Sequence, residues 1–80
     1  MTSQNESEIA YRNKERARRG RLALSAWQDK YGGSSNVRDN LIDLLTDLGH
    51  FAVQNNLVLS ELYAMAQKHV RAELTGQEEF

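Results

Sequence analysis

The sequence predicts an all-α fold: a small three-helix protein in which a long basic N-terminal helix precedes an antiparallel helix pair. Three observations predict it. The 80 residues include no proline, β-branched residues are few, and the good helix formers Ala, Leu, Glu, Gln and Arg are plentiful. Between Asn36 and Val53 the large apolar residues Val37, Leu41, Leu44, Leu48 and Phe51 recur at spacings of 4, 3, 4 and 3, one stripe of an amphipathic helix. Two clusters of turn formers, Gly32-Gly33-Ser34-Ser35 and Asn55-Asn56, cut the chain into three stretches. The length allows one domain. Within it, residues 1–35 form the basic helix or arm with its Gly-Ser turn, and residues 36–80 form a helical hairpin core.

The first helix is expected from about Ser7 to Tyr31, with Ser3 or Ser7 as N-cap. Ala10, Asn13, Ala17, Gly20, Leu24, Trp27 and Tyr31 form a heptad-like seam. Its second half is large and should dock on the central helix; its first half is small or polar and should project. Glu8 with Arg12 and Glu15 with Arg19 stand at i,i+4 in the favourable order. The paired glycines can take positive φ at the C-cap.

The second helix should run over residues 36–54, capped by Ser35 or Asn36. Leu45 and Ala52 widen its apolar stripe, and Gly49 marks a kink or a close approach. The third should run over 60–75, with Ser60 as N-cap, Leu59 as a hydrophobic staple, and Leu62, Tyr63, Ala66, Val70 and Leu74 facing inward. Thr75-Gly76 stops it.

The net charge of −1 conceals an asymmetry. Arg12, Lys14, Arg16, Arg18, Arg19 and Arg21 crowd the first 21 residues against Glu6, Glu8 and Glu15, while the remainder is acidic. A basic arm on an acidic body can be satisfied within one chain, between two copies, or by an external polyanion. The chain has no cysteine, which rules out disulfide and thiol chemistry and is compatible with a reducing compartment. No run approaches the length of a membrane span and no signal peptide is visible at Met1, so a cytoplasmic protein without a membrane partner is expected.

The run Leu41-Ile-Asp-Leu-Leu-Thr-Asp-Leu-Gly-His50-Phe51-Ala52, then Asn56-Leu57 and a helix ending Ala66-Gln-Lys-His69-Val70-Arg-Ala-Glu73, resembles a group of small uncharacterised proteins carried by phages, plasmids and other mobile elements. The shared pattern is L-I-D-L-L-x-D-L-x-H-aromatic-A, a turn, then A-x-x-H-aromatic-x-x-E. Val70 departs from it, standing where the pattern has an aromatic, and the first helix lies outside it. The resemblance implies a setting rather than a mechanism: small mobile-element proteins often bind and redirect a host protein, including defence or transcription machinery.

Asp43, Asp47 and His50 on the second helix, with His69 and Glu73 on the third, are the candidate polar cluster. Asp47 and His50 share a face, as do His69 and Glu73, and such mixed sets can bind Zn or Fe. The plainer reading is a solvated Asp stripe, with His69 and Glu73 forming a local pair or contacting another chain, and no metal or cofactor is expected. Catalysis has little footing: no Ser-His-acid spacing and no phosphate-binding loop occur, since Gly32-Gly33 lacks the P-loop lysine. The second and third helices could form a helix-turn-helix, but the acidic stripe would repel phosphate. The basic helix is the better nucleic-acid candidate.

The expectation is therefore a non-enzymatic interaction module, a phage or plasmid accessory protein that binds and modulates a host protein. Arg12, Arg16, Arg18 and Arg19 would form its recognition surface, with help from Trp27 if that ring is not spent on the core. The alternative is a DNA- or RNA-binding protein using the same helix. Leu22 and Met65, apolar but off the seams, favour self-association into a homo-oligomer.

Overall fold

In the computed structural model residues 6–77 are described, and they form three α-helices that pack against one another. These are α1 (Glu6–Tyr31), α2 (Val37–Gln54) and α3 (Leu59–Thr75). Ser3 lies outside the described residues, and Ser7 sits inside the first turn of α1 rather than capping it. The helix runs unbroken through Gly20 and ends where Gly32, at φ 84°, sends its amide to the Gln28 carbonyl. No side chain tolerates that backbone as cheaply as glycine's lone hydrogen.

Asn36 caps α2, as one of the two expected candidates. Its side-chain oxygen accepts from the Asp39 amide at 3.1 Å and relieves one orphan donor of the first turn. The same helix ends in a Schellman turn built on an asparagine: Asn56 takes φ 59°, and the Leu57 amide reaches back to the Ala52 carbonyl. Gly76 closes α3 in the same way at φ 78°, with the Gln77 amide on the Ala72 carbonyl. The start of α3 differs from expectation. Val58 occupies the N-cap without a side-chain bond, and Ser60 falls inside the helix. Val58 is extended, at φ −91° and ψ 110°, and helical geometry begins with Leu59, one residue before the serine.

The helices meet at few points. Leu24 of α1 and Ala52 of α2 are the buried apolar side chains among the described residues. Near the α2–α3 turn, Gly49 admits Leu59: a Cβ at Gly49 would stand 3.1 Å from Leu59 Cδ2. Asn40, 2% exposed, fastens the loop between α1 and α2. It accepts from the Ser34 amide at 2.9 Å and donates to the Ser34 carbonyl at 2.8 Å. Gly33, at φ 144°, lies so close that a Cβ there would fall 2.6 Å from Asn40 Oδ1.

The first half of α1 does not project. Asn13 Nδ2 donates to the Glu73 carbonyl at 3.0 Å, and Arg16 Nε lies 3.6 Å from the Glu73 carboxylate. A small polar residue at the seam position lets α1 approach the end of α3, and its amide satisfies a carbonyl of the last turn. Both halves of α1 are thus pinned, the first to α3 and the second to α2.

The result is elongated and flattened, 47 × 30 × 16 Å. Its radius of gyration is 15.2 Å, where a compact chain of this length would have about 12 Å. The apolar stripe of α2 exists as its spacing predicts, but α1 and α3 cover only its edges. Leu44 is half-buried, while Leu41, Leu45, Leu48 and Phe51 stay exposed. The stripe expected to face inward on α3 is likewise exposed at Leu62, Tyr63, Val70 and Leu74. Among the described residues no helix is long and apolar enough to cross a membrane.

Candidate functional site

Helical geometry divides the basic residues of α1 into two stripes, and the structure gives each a different fate. Arg12, Arg16 and Arg19 belong to the first. Arg12 is paired with Glu8 at 2.9 Å, as its i,i+4 spacing predicts. Arg16 turns inward, donating to Asn13 Oδ1 at 2.8 Å and facing Glu73, so it fastens α1 to α3 instead of standing ready for a partner. Arg19 is exposed.

The second stripe, Lys14, Arg18 and Arg21, lies on the outer side of α1 and is exposed along its length. Arg18 contacts Glu15 at 3.3 Å; the pairing expected for that glutamate was with Arg19. An i,i+3 neighbour competes on equal terms with an i,i+4 one. Because the opposite edge of α1 is held at Asn13, Arg16 and Trp27, these cations are presented on a fixed helix.

Trp27 is half-buried between the roles expected of it. Its Nε1 donates to Asp47 Oδ2 at 2.9 Å, and its ring lies 6.1 Å from that of Tyr31, tilted by 52°. The indole therefore ties α1 to α2.

Two members of the polar cluster are directed apart. Asp47 turns to Trp27 on α1, whereas Glu73 lies at the far end of α3 against Asn13 and Arg16. Asp43 and His50 are exposed on α2, and His69 is half-buried on α3. Among the described residues no three His, Cys, Asp or Glu side chains gather as metal ligands. The spacing puts each pair on one helix face, but Asp47 and Glu73 are bonded to α1 rather than to each other.

Two features escaped the sequence reading. Asn40 follows Val37 by three residues and precedes Leu44 by four, so it sits on the apolar stripe's flank, and a polar residue there was the available signal of a buried clamp. Asn13 carried a similar signal, as a polar residue on an otherwise small seam. No protein-family model matches this chain, and neither does any curated protein or solved structure.

Proposed function

We propose that this chain is a non-enzymatic protein-interaction module, an accessory protein of a phage or plasmid that binds and modulates a host protein. A host defence system or a nucleic-acid-handling complex is the target class. The observation that carries the reading is the outer edge of α1. Lys14, Arg18 and Arg21 stand exposed on a helix held at both ends. A rigid row of cations presents charge to an acidic surface with little conformational entropy left to lose on binding. Trp27, half-buried on the opposite edge of α1, stands apart from this row.

The non-enzymatic part rests on how the chemistry-bearing side chains are used. Asp47 and Glu73 are engaged in holding helices together. The mobile-element setting rests on the resemblance of the α2–α3 segment alone.

A second reading, DNA or RNA binding, draws on the same row of cations, which would neutralise about three phosphates. The acidic edge of α2, Asp39 and Asp43, opposes it. Affinity capture from host lysate, divided into nuclease-treated and untreated halves, separates the two. A discrete host protein retained after nuclease supports the interaction module. Recovery that disappears with nuclease transfers the reading to nucleic acid.

A further inference from the structure

We propose that the uncovered apolar stripe of α2 seats a second copy of this chain, in a two-fold dimer whose α2 helices run antiparallel. The first argument is area. The chain exposes 6733 Å², whereas a compact monomer of its mass exposes about 4,900 Å². A stable interface needs about 800 Å² from each partner, well within that excess. The excess is also apolar where it matters: Leu41, Leu45, Leu48 and Phe51 on α2 are each between 43% and 64% exposed, as are Leu62, Tyr63, Val70 and Leu74 on α3.

The second argument is self-complementarity. An isologous interface requires a patch that fits its own copy. Leu41, Leu45 and Leu48 have spacings of 4 and 3, and read backwards the spacings are 3 and 4. An antiparallel copy therefore lays Leu41 over Leu48 of the second copy, and Leu45, at the middle of α2 (Val37–Gln54), falls beside the two-fold axis. The stripe has the 3.5-residue period that lets two helices interdigitate along a seam. A net charge of −1 sets almost no long-range repulsion between copies.

This dimer leaves the Lys14, Arg18 and Arg21 edge outside the interface, so it stands apart from the proposed host interaction. The absence of cysteine makes the test clean. Leu45→Cys places a thiol beside the axis; Ala23→Cys places one on exposed α1. With diamide as oxidant, the Leu45→Cys protein should form a covalent dimer at least about tenfold faster than the Ala23→Cys protein, since disulfide geometry demands close Cβ atoms. Sedimentation of the unmodified chain at about 100 µM should give twice 9.1 kDa, and Leu41→Glu with Leu48→Glu should return it to the single-chain mass.

A single-chain mass for the unmodified protein, or equal cross-linking of the two cysteine variants, overturns the proposal. If the double glutamate variant loses helicity, the cysteine pair decides alone. A monomer that still captures a host protein through α1 refutes the dimer only, and a dimer that captures none refutes the host reading only.

Discussion

Asn40 and Ser34 exchange two hydrogen bonds, amide to Oδ1 and Nδ2 to carbonyl, at the most buried polar position of the described chain. This ring fixes the path between α1 and α2, because it satisfies both backbone groups of a loop residue that water would otherwise have to serve. Asn40→Ala removes both hydrogen bonds, each worth about 0.5–1.5 kcal/mol. Thermal unfolding followed by circular dichroism should show Tm lower by on the order of 10 °C. Asn40→Asp keeps the acceptor and loses the donor, so an aspartate variant as stable as the parent would refute this role.

Two glycines should respond in opposite directions to the same substitution. Gly33→Ala meets Asn40 Oδ1 at 2.6 Å and must hold φ near 144°, so it destabilises. Gly20→Ala meets nothing within 4 Å in mid-helix and should stabilise by about 0.5–1 kcal/mol. Denaturant titration of both variants measures the contrast; a stabilised Gly33→Ala protein contradicts the loop geometry.

Trp27 is the chain's one tryptophan, so its fluorescence reports directly on the contact of α1 with α2. Asp47→Ala removes the acceptor 2.9 Å from the indole nitrogen. The expected outcome is a shifted emission maximum and a loss of about 0.5–1.5 kcal/mol. An unchanged spectrum would show that the contact is not made in solution.

The link between Arg16 and Glu73 holds the first half of α1 on the end of α3. Arg16→Ala should increase amide exchange at residues 9–17 while leaving 24–31 close to the parent. The local cost should be about 1 kcal/mol or less, as for other partly exposed pairs. Uniform loss of protection along α1 would mean that the helix docks as one unit.

Much of the local structure was legible in the sequence. Asn36 and Gly76 ended up where their capping chemistry suits them, and the helix periods located α2 and α3 to within a residue. Ser60 lost the cap to Val58 because the incoming strand of chain, rather than the side chain, determines where helical φ begins. What periodicity could not convey was coverage. The 4-3 spacing shows that Leu41 and Leu48 favour burial, but not what buries them, and within this chain little does. The inward turn of Arg16 was hidden for a similar reason: its partner Glu73 is distant in sequence, while Glu15, Arg12 and Arg19 lie close by.

The most direct measurement of the central claim is capture from nuclease-treated host lysate, with the unmodified chain beside a Lys14→Glu, Arg18→Glu, Arg21→Glu variant of equal helicity. The expected result is a discrete host protein held by the first and lost with the second, its retention falling as salt rises. Equal retention by both chains would contradict the claim that the outer edge of α1 is the recognition surface.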